Sequence, residues 1–175
     1  MSNSPITHRS FISYIDRTRR FYKAQGYDKP YRWAHHADVP FTEPVKPLAE
    51  SRVAIVTTAS PFTTYTSGTS EQEQASGRRE SKSVWSGETQ TTPDRLYTDD
   101  LAWDKESTHT NDVESFLPLS ALRTLQKEGR IQSITPRFHG VPTDYSQRRT
   151  IEQDAPEIVA RCVEDGADIA LLVPL

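Results

Sequence analysis

The feature that most constrains the fold is the run Arg52-Val-Ala-Ile-Val-Thr-Thr58, which is β-branched and almost continuously apolar. A strand with one solvated face alternates polar and apolar residues, whereas a strand buried on both faces of a parallel sheet does not. A second apolar run, Asp168-Ile-Ala-Leu-Leu-Val173, follows later in the 175-residue sequence. The two runs predict strands of one sheet that is covered by helices.

A helix is predicted directly before the second run. Asp154 is the expected N-cap, Pro156 lies in the first turn, and Gly166 is the expected stop. The strand, helix, strand order favours parallel strands with right-handed crossovers. We therefore predict an α/β fold with a mostly parallel sheet and flanking helices, either Rossmann-like or flavodoxin-like. The apolar face of this helix comprises Ile158, Val159, Cys162 and Val163.

Four further elements are predicted from periodicity and capping residues. Helices are expected from the cap Ser10 to Gly26 and from Pro118 to Gly129, since each has apolar residues at helical spacing before a glycine. A short strand is expected over 131–134 and an edge strand over 96–103. The proline-rich stretch 27–47 is expected to be irregular.

Composition indicates one modest core. Apolar residues make up 34% of the chain, charged residues 26%, and the mean hydropathy is -0.69. Residues 60–94 are rich in Ser, Thr, Gln and Glu, and such a segment buries too little apolar surface to offset its chain entropy. We predict a single, incomplete α/β domain over 1–175, with 60–94 as a polar, flexible insertion.

Charge, hydropathy and cysteine content exclude several classes of function. A net charge of -3 and a pI near 6.0 give no basic face for nucleic acid. No apolar run approaches a membrane span and no signal peptide is visible, so we expect a cytoplasmic protein that binds no membrane. Cys162 is the only cysteine, which excludes an internal disulfide and a Cys-rich metal site. No metal site is predicted at His35, His36 and Asp38, since adjacent extended side chains diverge.

Candidate site residues follow from where ligands bind in open parallel sheets, which is beyond the carboxyl ends of the strands. Thr57 and Thr58 follow the first strand, and Arg137 and His139 lie in a segment predicted to follow the strand at 131–134. With Pro174 and Leu175 after the last strand, these places would face one crevice.

The residue types at these places suggest a substrate site. A guanidinium can bind a carboxylate, imidazole can exchange a proton, and the two threonines can contact an anion. Alternatively, Arg137 pairs with a nearby Asp, His139 is satisfied by backbone, and the threonines cap a turn. Cys162, which lies on an apolar helix face, is predicted to be buried and inert.

Several stretches, in this order, resemble the selenoprotein B family of the glycine, sarcosine and betaine reductases and the related D-proline reductase subunit. The order and spacing of these stretches carry the resemblance, which spans most of the chain apart from the polar segment. The stretches are Gly26-Tyr-Asp-Lys-Pro-Tyr-Arg-Trp-Ala-His35 with Asp38-Val-Pro-Phe41, Ser51-Arg-Val-Ala-Ile-Val-Thr-Thr-Ala59, Pro136-Arg-Phe-His-Gly140 with Pro142-Thr143, and Ala155-Pro-Glu-Ile-Val-Ala-Arg-Cys162.

The resemblance implies an oxidoreductase subunit that reductively cleaves the bond between nitrogen and the α-carbon of a small amino-acid substrate. It also implies a selenocysteine or cysteine nucleophile, a pyruvoyl group on a partner subunit that activates the amine, and a thioredoxin-type or dithiol reductant. In this setting Thr57, Thr58 and Arg137 would hold the substrate, with Arg137 on its carboxylate. His139 would be the catalytic residue that assists protonation of the leaving amine.

The sequence departs from the family pattern at one place. In the family, the strand that ends in Leu-Leu-Val-Pro is followed by a turn with Cys or selenocysteine, whereas these residues end at Leu175. We expect the reactive residue just after Leu175, at a UGA codon read as a stop, so that the chain as given is inactive and holds no cofactor of its own. The alternatives are a non-catalytic scaffold and a small-molecule-binding subunit of an oxidoreductase complex.

Overall fold

A computed structural model of the chain describes residues 13–29, 32, 34–35, 37–39, 42–61, 83–97, 109–141 and 146–174. The chain divides into two compact units, Met1–Pro40 and Phe41–Leu175, and each is described by itself. The first unit contains helix α1 (Tyr14–Ala24). Its N-cap is Ser13, whose Oγ accepts from the Asp16 amide at 3.3 Å, and the predicted cap Ser10 lies outside the described residues. The helix stops before Gly26, at φ 86°, as predicted.

The second unit is built on a sheet of five described strands: β1 (Arg52–Thr57), β2 (Trp85–Glu88), β3 (Ser133–Ile134), β4 (Arg137–Gly140) and β5 (Ile169–Val173). The central strand is β1. It pairs in parallel with β5 on one side and with β3 and then β4 on the other. Only β2, which pairs with β4, is antiparallel. The mostly parallel sheet with flanking helices confirms the predicted α/β class.

The helices of this unit are α2 (Leu119–Lys127), α3 (Gln147–Arg149) and α4 (Ala155–Glu164), with short 3-10 turns at Leu48–Glu50 and Val113–Ser115. A π-helical turn, Thr150–Asp154, joins α3 to α4. The predicted helix after Pro118 is confirmed as α2, and Gly129, at φ 70°, ends it. Within the described part of the chain, no helix has the length and apolar character to cross a membrane.

The sheet has two faces with different covers. The first face carries Val53, Ile55 and Phe138 and packs against a large core. The second face carries Val56, which packs with Val84 and with Ile158 of α4. Most of the buried apolar surface therefore lies on the first face, whose core also includes Leu96, Val113, Phe116, Leu117, Leu119, Leu122 and Ile131.

The predicted start of the last helix is wrong, and part of the predicted insertion can be compared with the structure. Asp154 does not cap α4: it has helical φ and ψ and makes no cap hydrogen bond, because the helical segment begins earlier, where Ser146 Oγ accepts from the Arg149 amide. Within the segment 60–94, predicted to be a flexible insertion, the described residues include β2, which forms four residue pairs with β4. Residues 62–82 lie outside the described residues.

Part of the predicted edge strand at 96–103 can also be compared. Within it, Tyr97 forms an isolated antiparallel bridge with Ser60, and the residues from 98 onward lie outside the described part. The predicted strand at 131–134 is confirmed as β3, though only Ser133 and Ile134 belong to it.

Candidate functional site

A polar network lies on the second face of the sheet, beneath α4. It consists of Ser86 from β2, Arg137 and His139 from β4, Arg161 from α4 and Asp165 from the turn after α4. Arg137 and His139 reach the same face because side chains alternate along a strand, and Phe138 between them enters the core of the first face. We call these five residues the polar network.

Arg137 is bound to two carboxylates. Its Nε donates to Asp165 Oδ1 at 3.0 Å, and its Nη2 donates to Asp165 Oδ1 at 2.7 Å and to Glu164 Oε2 at 2.6 Å. These hydrogen bonds to Asp165 and then to Glu164 raise the pKa of the Arg137 guanidinium further above its usual value. Arg137 is therefore a permanent cation that joins β4 to the end of α4. Pairing of Arg137 with a nearby Asp was one of the two interpretations of the sequence.

His139 is fully buried in the network. Its Nδ1 lies 2.9 Å from Ser86 Oγ, and that oxygen also accepts from Arg161 Nη1 at 2.8 Å. The simplest assignment has the Ser86 hydroxyl donating to Nδ1, so that Nε2 carries the proton of the neutral ring. Among the residues that the structure describes, Nε2 has no hydrogen-bond partner, and Asp165 Oδ2 lies 3.5 Å from it.

Burial controls the charge of this imidazole. Loss of hydration lowers the pKa of His139 below its usual value of 6.5, and the nearby Asp165 carboxylate only partly opposes this effect. Arg137 and Arg161 lower the pKa further. His139 is therefore neutral at neutral pH, and the network provides a buried acceptor at Nδ1 and a donor at Nε2.

Thr57 and Thr58 lie at the carboxyl end of β1. Thr57 is buried, and its Oγ1 accepts from the Ala59 amide at 3.3 Å, which is a turn-capping contact. Val53 and Ile55 point to the first face, so Thr57, two residues on, points away from the polar network. Thr58 is half-buried at the same edge.

The structure thus brings Arg137 and His139 together but separates them from Thr57. The segment 135–140 was predicted to be a loop after β3, and that placement is wrong: beyond Pro136 the chain returns to the sheet as β4, and His139 pairs with Val56. Arg137 and His139 therefore lie within the sheet and not in a loop beyond the carboxyl end of a strand, as Thr58 does beyond β1. Whether the four residues bind or transform a substrate stays a prediction.

Cys162 is half-buried and packs against the small apolar cluster of the second face. Burial, and then the neighbouring Asp165 carboxylate, raise the pKa of its thiol. A raised pKa reduces the thiolate fraction at neutral pH, and the thiolate is the reactive form. Cys162 was predicted to be buried and is half-buried, and its lack of reactivity stays a prediction.

Sequence reasoning did not select Ser86, Arg161 or Asp165. A signal existed for two of them, since Ile158, Arg161, Cys162 and Asp165 are spaced i, i+3, i+4, i+7 and so share one side of a helix. Charged residues within an apolar helical stripe indicate buried partners. Ser86 offered no such signal, because its position depends on the pairing of β2 with β4.

Asp154 is a further residue of functional interest. It is 3% exposed, and within the described part of the chain its Oδ2 is buried without a hydrogen-bond partner. Arg149 Nε is 3.7 Å from Oδ1. Within the described residues there is no group of three or more His, Cys, Asp or Glu side chains that could hold a metal ion.

Comparison with known proteins identifies one family. The family model described as glycine/sarcosine/betaine reductase selenoprotein B matches residues 19–174, which is most of the chain. No curated protein and no solved structure gives a significant match. The matched range includes every described strand and both faces of the sheet.

Proposed function

Because the chain belongs to the glycine/sarcosine/betaine reductase selenoprotein B family, which implies a subunit of an oxidoreductase complex, we propose that it takes part in reductive cleavage of a C–N bond. The substrate would be a small α-amino acid or its N-methylated derivative: glycine, sarcosine, betaine or D-proline. The family match over residues 19–174 is the observation that carries this proposal.

The proposed chemistry is a nucleophilic displacement followed by reduction. A selenolate or thiolate would bond to the α-carbon as the C–N bond breaks, and the amine would leave with the electron pair and take up a proton. A dithiol of the thioredoxin type would then supply two electrons and a proton, so that the bond between chalcogen and carbon breaks, the α-carbon gains a hydrogen, the selenolate or thiolate is released and the dithiol becomes a disulfide. A pyruvoyl group on a partner subunit would activate the substrate amine.

The nucleophile is proposed to lie outside these 175 residues, just after Leu175. The physical support is the state of Cys162, the only cysteine: it is half-buried, and its pKa is raised. A thiol in this environment is a poor nucleophile, whereas reactive cysteines are exposed and have lowered pKa values.

The chain's own residues would bind and orient the substrate at the second face and the carboxyl edge of the sheet. Thr58 and the backbone after β1 are proposed to contact it there, with Thr57 shaping the turn. The roles proposed for Arg137 and His139, carboxylate binding and proton transfer, require rearrangement of the ion pairs with Asp165 and Glu164. If the substrate carboxylate replaced that of Asp165 or Glu164 beside Arg137, the guanidinium charge would still be paired with a carboxylate.

An activity assay of the assembled complex tests this function. The reading frame, continued past the Leu175 codon with selenocysteine or cysteine at the first reactive position, is co-expressed with the pyruvoyl subunit and supplied with dithiothreitol. Release of ammonia, methylamine or trimethylamine from glycine, sarcosine or betaine is then measured. D-proline is tested for ring opening.

The expected result is dithiol-dependent turnover of at least one substrate, which is lost when the reactive residue is replaced by Ser. Turnover that survives this replacement would contradict the proposal, as would an assembled complex with no activity toward all four substrates. If the assembled complex contains the chain but has no activity, the result would fit the alternative, a non-catalytic scaffold or small-molecule-binding subunit.

A further inference from the structure

The strand β5 forms an edge of the sheet that lacks the usual protection. Among the described strands it pairs with β1 on one side only. Edge strands in natural proteins are usually kept from associating by a charge, a proline or a bulge. All residues of β5 are apolar, and Asp168, just before them, is already paired with Lys46 at 2.7 Å. The open side of β5 is therefore suited to pairing with another strand.

The backbone groups on this open side belong to Ala170 and Leu172. Odd-numbered residues of β1 bind β3 and β4, as the 2.9 Å hydrogen bond from the Thr135 amide to the Val53 carbonyl shows, so the even-numbered residues bind β5. In a parallel pair, a residue bonds to the two neighbours of the residue opposite it. Because Val53 is opposite Ile169, the odd-numbered residues of β5 bond to β1. The N–H and C=O groups of the even-numbered residues therefore point away from the sheet.

An apolar surface of α4 and β5 lies beside this edge on the second face. On α4, Ile158 packs on the sheet and Arg161 reaches toward β2, on the side away from β5. Val159 is rotated by about 100° from Ile158 in the sense opposite to Arg161, so it faces the side of β5, and Val163 follows one turn later. The two valines are 61% and 71% exposed, and Leu172, on the second face of β5, is 67% exposed.

We propose that β5 pairs in antiparallel fashion with β5 of a second copy of this chain, with the two-fold axis at Leu171. The proposal goes beyond the proposed function and does not depend on it. In this register Ala170 of each copy lies opposite Leu172 of the other. The N–H and C=O groups of these two residues then meet in four hydrogen bonds, and the pairing ends before Pro174, which has no N–H. A helix would cover the apolar side chains but would leave these backbone groups without partners, so a strand fits better.

The side chains of the two copies also fit in this register. The large Leu172 lies beside the small Ala170 of the other copy. Since α4 lies over β1, the two α4 helices are three strand spacings apart, which is about 14 Å, whereas helices in contact are about 8–10 Å apart. Leu172, Val159 and Val163 of both copies can fill the space between the helices, and the two Leu171 side chains meet on the first face.

The size and charge of the contact predict a weak, reversible dimer. The contact is about 17 Å long and about 20 Å deep from α4 to the first face, which gives roughly 350 Å² per copy. Stable dimers bury about 800 Å² per copy, so we expect a dissociation constant of about 0.1 mM. The paired residues carry no charge, and the antiparallel arrangement keeps the two Asp168 carboxylates at opposite ends of the contact.

Sedimentation velocity of the 175-residue chain, from about 10 μM to about 1 mM, tests the dimer. The average mass of the wild-type protein should rise from that of one copy toward that of two. Leu172→Lys should weaken the association about tenfold or more, because it places a charge on the apolar contact of each copy. The matched control is Ala121→Lys, which adds the same charge at an exposed position of α2 and should associate like the wild type.

Oxidative cross-linking tests the register, in a Cys162→Ala background that removes the native thiol. Leu171→Cys should give a disulfide-linked dimer, since the two-fold axis brings the two Cα atoms to about 4.5 Å, within disulfide range. Ala170→Cys is the control. Its two Cα atoms are about 8 Å apart in this register, which is too far for a disulfide.

Three results would overturn the proposal. A wild-type chain that stays monomeric up to about 1 mM would leave the edge of β5 to a strand of a different protein. Unchanged association of a folded Leu172→Lys protein would place the contact between copies elsewhere. Equal cross-linking at positions 170 and 171 would exclude the register. If Leu172→Lys does not fold, the cross-linking comparison decides.

Discussion

The two faces of the sheet differ in what they bury. The first face packs Val53, Ile55 and Phe138 into a continuous apolar core. The second face has a small apolar cluster around Val56 and Ile158, and beside it lie the polar network and Asp154. Apolar burial stabilises a fold without directional contacts, whereas buried polar groups stabilise it only when every partner is present. We expect the first face to supply most of the stability, and the second face is where we propose that the chemistry takes place.

The largest expected effect is on the first face. Leu119→Ala should lower the free energy of unfolding by about 2–5 kcal/mol, because Leu119 is fully buried and its truncation leaves a cavity. Urea unfolding measures the change. Val163→Ala, on the exposed side of α4, is the control and should change stability by no more than about 0.5 kcal/mol. Similar losses for both substitutions would break the contrast between the faces.

The next effect concerns a close contact between β2 and β4. A Cβ on Gly140 would overlap the indole of Trp85, so Gly140→Ala must displace this ring, with an expected loss of about 1–3 kcal/mol. Tryptophan fluorescence and urea unfolding report both changes. In the Trp85→Val background the same substitution should be less unfavourable. Equal losses in the two backgrounds would show that the indole is not the obstacle.

A smaller effect is expected from His139 on the second face. Because burial lowers its pKa in the folded state, the unfolded chain binds a proton first as the pH falls below 6.5, and stability therefore decreases from that pH downward. His139→Gln should remove this contribution, at most about 1.4 kcal/mol per pH unit, and flatten the decrease between pH 7 and 5. Exposed His109 provides the control, His109→Gln. An unchanged pH profile in the His139 variant would mean that its protonation is not coupled to folding.

The smallest effect is expected at Cys162. In the native protein the thiol should react with a disulfide reagent much more slowly than in the urea-unfolded chain, since it is half-buried and its pKa is raised. Cys162→Ala should leave the fold intact, as judged by circular dichroism. Fast native reaction would identify Cys162 as a redox residue and remove the reason for placing the nucleophile outside these residues.

The sequence was most informative where a local pattern coincides with the tertiary environment. β1 was predictable because a β-branched apolar run has few alternatives, and α2 because apolar spacing, Pro118 and Gly129 agree. β2 was not predictable, because Trp85-Ser-Gly-Glu88 has no strand periodicity and forms a strand only through pairing with β4. Similarly, Asp154 and Pro156 form a proper local cap signal, but the upstream cap at Ser146 extends the helical segment beyond it.

The site was predictable only in part. The sequence identified Arg137 and His139 as polar residues of interest, and the structure brings them together with Asp165. It did not predict that they lie within a strand, because Pro136 separates β3 from β4 by a break that resembles a loop. The sequence also did not indicate that Asp154 Oδ2 is buried without a hydrogen-bond partner among the described residues. This environment depends on the packing of α4 and on the π-helical turn.

The central claim is that the second face and the carboxyl edge of the sheet bind the amino-acid substrate. Its most direct test is to map the changes that glycine causes in the backbone amide NMR shifts. The account predicts changes concentrated at Thr57, Thr58, Arg137 and His139, with the amides of α2 unaffected. Changes confined to α2 and the core of the first face, or no changes at saturating glycine, would contradict it.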